Sequence, residues 1–310
     1  MNSRTLLLGL LSCGIVSSLL AGEDKAVAPM TTENATVEEP FNFSGEFEID
    51  QAYLGDGEVA RGARHVTDLG EYYSNLLFVY TPRVKFGILR LGGQWERYSF
   101  DFPNGGAQLP NTLQATNAII GLDTKFSDSI LVRFESQPGF YGTTFDHLDG
   151  DSFNVPFVLG GTYIYSPDLQ LVLGLGVNVQ SRYPVIPGGG IRWKIASQWV
   201  LNFVLPTPRI EYQLSRNATL YAGADVKENT FRVDDHFGDS HGNTALNNAW
   251  LTYDELRTGA GLDWKLNSSL TLTLEGGYAA YRQFDFHRTD VRYHNESGSP
   301  YGAIRFRGEF

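Results

Sequence analysis

The sequence predicts an all-β protein, a transmembrane antiparallel up-and-down β-barrel of about 14 strands. Three observations lead to this fold class. From Phe41 onward, apolar and polar residues alternate with a period of two almost everywhere, and no segment carries a convincing helical stripe. Short turns and longer links follow one another in strict alternation, as in up-and-down barrels. The chain also ends on an alternating strand whose last residue is Phe310.

The first 22 residues have the order of a secretory signal peptide. Arg4 precedes an apolar stretch from Leu6 to Leu20, and small and then acidic residues follow. This stretch of about 15 residues is shorter than the roughly 20 of a membrane-spanning helix. We therefore expect a cleaved signal peptide over residues 1–22. A second hypothesis stays open, because Leu-Leu-Ser before Cys13 resembles a lipoprotein processing box.

The next segment, residues 23–40, is rich in Glu, Ala, Thr and Pro and has no period. This composition predicts a disordered periplasmic leader ahead of a barrel domain over residues 41–310. Cys13 is the only cysteine, so cleavage of the signal would exclude disulfides and thiolate metal sites from the mature chain. The net charge of −11 argues against a nucleic-acid partner.

The clearest strand is predicted over Leu169–Gln180, where leucine and valine occupy every odd position up to Val179. Six short turns are predicted at residues 81–82, 126–129, 166–168, 196–198, 215–217 and 266–268. Seven longer links are predicted at residues 54–70, 101–111, 138–153, 182–190, 205–208, 234–248 and 286–300. These connections join 14 strands and place both termini on the turn side. If the short link at 205–208 is only an irregular edge, the alternative count is 12.

Charged residues on the strands are expected to face the lumen, because lipid excludes them from the outer face. The lumen-lining candidates are Arg133, Glu135, Arg192, Lys194, Arg209, Glu211, Glu255, Arg257, Asp263, Arg305 and Arg307. Two interpretations remain open: a water-filled channel lined by charge, or a lumen closed by ion pairs that neutralise one another. Arg192, Lys194 and Arg209 fall on neighbouring strands, and Arg305 and Arg307 fall on the closing strand. This placement predicts a basic wall and a preference for anions.

All six histidines lie in or beside predicted outer links. The densest cluster has Asp235, His236 and His241 as candidates for a divalent metal or for a hydrolytic site. The competing interpretation is that histidine collects in loops because lipid-facing strands exclude it. We therefore assign no catalytic residue, no metal and no cofactor, and predict that the protein is not an enzyme.

The last strand places Ile304, Phe306 and Phe310 on one face and charged residues mainly on the other. Bacterial outer-membrane barrels commonly end in this way, because the insertion machinery reads their final strand. We expect the outer membrane of a Gram-negative bacterium as the location. The expected partners are outer-membrane lipid, the barrel-insertion machinery and small solutes.

Three segments carry a resemblance to a known family: Val185–Trp193, Leu205–Tyr212 and Leu220–Gly223. They resemble an uncharacterised bacterial outer-membrane β-barrel family catalogued as a domain of unknown function. The resemblance implies a barrel and supplies no activity. Our functional hypothesis is a passive, porin-like channel for small solutes. The alternatives are a transporter of hydrophobic ligands, a structural or adhesive surface barrel, and an outer-membrane hydrolase.

Overall fold

A computed structural model of the protein describes residues 44–103, 107–144 and 150–310. Within these residues, fourteen antiparallel strands form one closed ring, as the sequence predicted. The strands are β1 (Gly45–Leu54), β2 (Gly70–Tyr80), β3 (Gly87–Asp101), β4 (Thr112–Ser127), β5 (Ile130–Ser136), β6 (Phe157–Ser166), β7 (Leu169–Val177), β8 (Val185–Lys194), β9 (Trp199–Val204), β10 (Arg209–Gln213), β11 (Ala218–Arg232), β12 (Trp250–Lys265), β13 (Leu270–Phe286) and β14 (Ser299–Glu309).

Each strand pairs with its neighbours in the chain, and β14 pairs with β1 to close the ring. In this last pairing Phe306 lies opposite Ile49 and Gly308 lies opposite Phe47. Closure removes the two free edges that β1 and β14 would otherwise expose to lipid. The final strand therefore seals the barrel against the first.

The six predicted turns all join strands at the end where both termini lie, which we call the turn end. The opposite end, called the loop end, carries the longer links. The short link at residues 205–208 is a true connection between β9 and β10, so the alternative count of 12 strands is wrong. On either side of it the barrel wall is low, because β9 and β10 have six and five residues against fifteen in β11.

Two of the predicted links are wrong in extent. The link expected at residues 182–190 is already strand from Val185, because the Pro-Gly-Gly-Gly run pairs with β7. The link expected at 286–300 is mostly a tight hairpin, in which Val291–Ser297 folds back on β13. That segment also pairs with Glu58–Arg61 and so extends the sheet above the barrel.

Gly190 explains why a glycine run is tolerated inside β8. A side chain at this position would collide with the carbonyl oxygen of Phe203 on β9. We expect Gly190→Ala to lower the free energy of unfolding by about 1–3 kcal/mol, the usual cost of overpacking. Urea unfolding of the folded barrel in lipid vesicles measures this. Gly302→Ala on β14 is the matched control, because nothing lies within 4 Å of a methyl group placed there. Equal losses in the two variants would contradict the steric reason.

The outer face of the barrel is apolar around the ring. Large hydrophobic side chains point away from the lumen at mid-height, among them Ile49, Leu76, Phe78, Leu91, Ile120, Phe134, Leu159, Leu173, Phe203, Leu220, Leu274 and Ile304. Aromatic rings flank this belt: Trp193, Trp199, Tyr212 and Trp264 at the turn end, and Tyr53, Tyr72 and Tyr278 toward the loop end. This is the exterior of a barrel that spans a membrane, since aromatic girdles lie where acyl chains meet headgroups.

Helical structure is confined to short loop segments in the part of the chain that the structure describes. Helix α1 spans Phe237–Ser240, and single 3₁₀ turns occur at Gly150–Ser152 and Thr244–Leu246. None of these described helices is long or apolar enough to cross a membrane.

Candidate functional site: the barrel lumen

The loop-end half of the lumen is filled by a packed apolar core, which we call the outer plug. Aromatic rings form its centre: Phe100 meets Tyr253 and Phe284 edge-on, at centroid distances of 5.2 and 5.0 Å. Such edge-to-face pairs add specific attraction to the burial of apolar area. The outer plug is made of Leu54, Leu69, Tyr98, Phe100, Phe102, Leu109, Phe231, Phe237, Leu246, Leu251, Tyr253, Phe284, Phe286, Val291 and Tyr293, all buried. The lumen is therefore closed at its loop end.

The outer plug joins strand residues to side chains from the links above them. Phe237 and Leu246 come from the link at 234–248, and Leu109 comes from the link at 107–111. The backbone of Gln108 donates a hydrogen bond to the Tyr293 hydroxyl, with nitrogen and oxygen 3.2 Å apart. Closure thus depends on inward-folded links as well as on the barrel wall.

A buried charged layer lies in the lumen against the outer plug. Arg257 contacts Glu255 at 2.5 Å and Glu71 at 3.4 Å, and Arg282 lies 4.0 Å from Glu71. The hydroxyl of Tyr253 donates to Glu71 at 2.5 Å, which ties this layer to the aromatic core. All four charged groups are at most 3 % exposed. They stabilise one another only as a set, because an unpaired charge at such a site costs several kcal/mol.

A second group extends the charged layer across the lumen around Glu96. This carboxylate accepts hydrogen bonds from Tyr73 at 3.0 Å, from Tyr98 at 2.9 Å and from Asn229 at 2.5 Å. The ammonium of Lys227 lies 3.3 Å from the centre of the Tyr73 ring, a cation–π contact. The polar side chains at mid-lumen are therefore partnered rather than solvated.

The turn-end half of the lumen holds a polar cavity of about 450 Å³, which we call the vestibule. It reaches the turns at residues 197–198 and 267–269. Seven of the residues predicted to line the lumen lie in the wall of the vestibule: Arg192, Lys194, Arg209, Glu211, Asp263, Arg305 and Arg307. The basic residues of neighbouring strands and of the closing strand thus surround one space.

Most of the vestibule's charges are held in ion pairs. Arg209 contacts Glu211 at 2.8 Å, and Arg307 contacts Glu48 at 2.8 Å. Two cations differ: Lys194 and Lys265 are exposed and form no ion pair in the described part of the chain. Six cationic and five anionic side chains line the vestibule, so its lining carries a small net positive charge.

A smaller cavity of about 100 Å³ adjoins the vestibule and reaches up to the outer plug. Asp225, Arg305 and Arg307 line both cavities, and Arg305 is held by Asp50 at 2.9 Å. Tyr141, whose ring lies 6.5 Å from that of Phe231 in the outer plug, lines the smaller cavity. The two cavities mark a polar route from the turn end toward the outer plug.

The other predicted lumen residues face inward but lie outside these cavities. Arg133 pairs with Asp123 at 2.6 Å, and Glu135 pairs with Arg90 at 2.9 Å. Glu255 and Arg257 belong to the buried charged layer. Sequence reasoning missed several interior charges, although those on β1 alternate with outward apolar residues by the same period of two. The missed residues are Glu46, Glu48, Asp50, Glu71, Arg90, Glu96, Lys227 and Arg282.

The histidine cluster of the outer link does not assemble into a site. His236 contacts Asp239 at 3.1 Å and Asp235 at 3.8 Å, and its side chain is 81 % exposed. His241 stacks on Phe237 instead, with ring centroids 4.1 Å apart. Hydrogen bonds from Asn247 and His236 hold the pKa of Asp239 below its usual value. Among the described residues, no group of three or more acidic, histidine or cysteine side chains is placed to hold a metal ion.

The three residues predicted as an insertion signal lie on the outer face of β14. Ile304 and Phe310 are 47 % and 58 % exposed. Phe306 packs against Phe47 of β1, with ring centroids 5.6 Å apart. The aromatic carboxy-terminus thus lies at the turn end beside the strand that closes the ring.

Solved structures with a similar course of the chain are channels and porins. An outer membrane channel from Pseudomonas putida F1 is 8% identical, with a TM-score of 0.48, over 90% of this chain and 100% of that chain. A toluene transporter from Ralstonia pickettii is 10% identical, with a TM-score of 0.45, over 98% and 100%. The KdgM porin in complex with disordered oligogalacturonate is 11% identical, with a TM-score of 0.35, over 85% and 99%.

No curated protein matches the chain. One family model does, over residues 129–303, which is more than half of the chain and runs from the turn before β5 to the middle of β14. It includes the three segments whose resemblance was noted in the sequence. The chain belongs to the family described as a domain of unknown function (DUF6268).

Proposed function

We propose that this protein is a channel of the bacterial outer membrane that passes small solutes and is closed at its loop end in the conformation described. One observation carries the proposal: a closed barrel with an apolar exterior encloses a polar vestibule that ends beneath an apolar plug. Polar lumens conduct, and hydrophobic constrictions gate them by excluding water. The proposal assigns no catalytic residue and needs no cofactor.

The proposal includes a route to the membrane. A signal peptide over residues 1–22 would direct export, and the aromatic end of β14 would be recognised by the barrel-insertion machinery. Fractionation of cells tests the location, and a heat-modifiable shift on gels tests the folded barrel. Recovery in the soluble periplasm without such a shift would contradict the proposal. A folded barrel that conducts neither as the wild type nor after removal of the plug's aromatic rings would contradict the channel.

We infer a preference for anions from the two unpaired lysines of the vestibule. Replacing both, as Lys194→Gln with Lys265→Gln, is expected to lower the chloride-over-potassium permeability ratio by roughly twofold, since charge at a lumen wall tunes selectivity. The reversal potential across a salt gradient measures the ratio. Lys85→Gln, an exposed lysine of a turn outside the vestibule, is the control. An unchanged ratio in the double variant would contradict anion preference while leaving the channel intact.

The apolar character of the outer plug favours a second candidate, a transporter of hydrophobic ligands. Its rings would offer such a ligand the apolar surroundings that the vestibule does not. An apolar aromatic probe added to the detergent-solubilised barrel distinguishes the two. Saturable binding that is lost on replacing Phe231 and Phe284 would support the second candidate, and absence of binding would remove it.

A further inference from the structure

A strap crosses the outside of the barrel where the wall is low. The link between β7 and β8, residues 178–184, runs from Asn154, which precedes β6 in the chain, to the outer face of β11 and β13. Asn154 donates to Asn178 at 2.9 Å, Ser181 donates to Glu228 at 2.6 Å, and Arg182 donates to Asp285 at 2.7 Å. Beyond the strap, at the start of β8, Ile186 packs against Val226 of β11. The strap therefore covers the seam above the short strands β9 and β10.

Two carboxylates lie side by side beneath the strap. Glu228 on β11 is the direct cross-strand partner of Asp254 on β12, and both point away from the lumen. Directly paired side chains have Cβ atoms about 4.5–5.5 Å apart, so like charges there repel. The two residues are only 3 % and 8 % exposed, which strengthens the repulsion.

The cations near this pair bind another carboxylate. Neither carboxylate forms an ion pair in the described part of the chain, because Arg182 and Arg292 both bind Asp285 one step along the sheet. Gln283 donates to Asp254 at 2.9 Å and leaves its negative charge in place. Oε2 of Glu228 is buried and has no hydrogen-bond partner. A buried acceptor without a partner is costly, so the site is incomplete as it stands.

We propose that Glu228 and Asp254 form a divalent-cation site that fastens the strap to the barrel. Calcium and magnesium prefer carboxylate, hydroxyl, amide and water oxygens, and calcium tolerates irregular geometry. Both carboxylates and the Ser181 hydroxyl are oxygen donors at this place, with water completing the shell. The ion would neutralise the pair, satisfy Oε2 of Glu228 and join β11 and β12 to the strap through Ser181.

The site lies above the apolar belt. Along β11, toward the loop end, the outward residues are Leu220, Ala222, Ala224 and Val226, and the next one is Glu228. Along β12, in the same direction, the outward residue after Leu256 is Asp254. The ion would therefore be reached from the loop-end medium without crossing lipid. The proposal does not depend on conduction, so its outcome and that of the channel proposal are separate.

Calcium chloride titrated into the folded, chelator-treated barrel tests the site. We expect saturable heat of binding in calorimetry and slower hydrogen exchange of the strap peptide 178–184. Glu228→Gln and Asp254→Asn should each weaken binding by about tenfold or more, since affinity follows the number of charged ligands. Asp239→Asn is the matched control, because it removes an exposed carboxylate from a neighbouring outer link. A heat-modifiable shift confirms that each variant is folded.

Three results would overturn the proposal. The first is a folded wild type that binds neither calcium nor magnesium. The second is binding of equal strength in wild type, Glu228→Gln and Asp254→Asn. The third is exchange in the strap that slows on acidification and ignores calcium, which would assign the buried pair a shared proton instead of an ion.

Discussion

Replacing Phe231 and Phe284 together by alanine is expected to raise the single-channel conductance in planar bilayers by about tenfold or more, because a hydrophobic constriction blocks ions by excluding water. Both rings are fully buried at the centre of the outer plug. Phe231 lies edge-on to Tyr98 at a centroid distance of 6.0 Å, and Phe284 lies edge-on to Phe100. Truncating them should connect the polar cavities beneath to the loop end.

The matched control is the double variant Phe134→Ala with Phe203→Ala, which removes two outward-facing rings that are 41 % and 55 % exposed. Its conductance should equal that of the wild type. Each buried truncation also costs about 3–5 kcal/mol of stability, so a heat-modifiable shift must confirm folding. A folded plug variant that conducts no more than the control would show that another element closes the lumen.

Arg257→Met is expected to lower the free energy of unfolding by about 3–5 kcal/mol, because it removes the cation that contacts both Glu71 and Glu255 and leaves the buried charged layer short of one positive charge. Urea unfolding of the barrel in lipid vesicles measures the change. Arg97→Met is the control: this arginine is exposed on the outer face of β3 and, among the described residues, its side chain bonds only Ser99 at 3.1 Å, so its loss should stay within about 0.5 kcal/mol.

A quadruple variant separates charge from packing. Adding Glu71→Gln, Glu255→Gln and Arg282→Met to Arg257→Met removes all four charges of the buried set together. We expect most of the lost stability to return, since replacing a whole buried ionic group is often neutral. A loss in the single variant below about 1 kcal/mol would mean that water already reaches the charged layer.

The period of two, the alternation of turns with longer links and the aromatic end of the last strand together predicted the barrel, because every strand has one face in lipid and one in the lumen. The period of two also predicted that Arg192, Arg209 and Arg305 face the lumen, and all three line the vestibule. The predicted count of 14 strands is correct even with the short link 205–208, since the connections of an up-and-down sheet alternate between the two ends of the barrel whatever their length.

The same pattern failed where a strand changes phase. In β13 the register shifts, so that Leu256 faces Tyr281 while Arg257 faces Ala279. A strict period of two, counted from Thr271 and Glu275, would place Tyr281 on the lumen side. The bulge turns Tyr281 outward instead and brings Arg282 into the charged layer. A one-residue insertion leaves no mark in composition, and sequence reasoning therefore missed Arg282.

The outer plug was not predicted from the sequence, for a different reason. Phe237 and Leu246 lie in a polar outer link that reads as solvated, and only the closed ring gives them a cavity to fill. Whether the lumen is open or closed likewise depends on which charged side chains form ion pairs with one another. Contacts such as Glu71 with Arg257 join residues that no local pattern connects.

The pairing of β1 with β14 joins residues roughly 260 positions apart, as between Glu46 and Glu309. Chain-closure entropy grows only logarithmically with length, so this contact costs only about 2 kcal/mol more than closing a loop of about 20 residues. Its larger consequence concerns timing. The ring is not complete until β14 pairs with β1, so a chain that lacks β14 would keep an open sheet with two free edges, prone to pair with other chains.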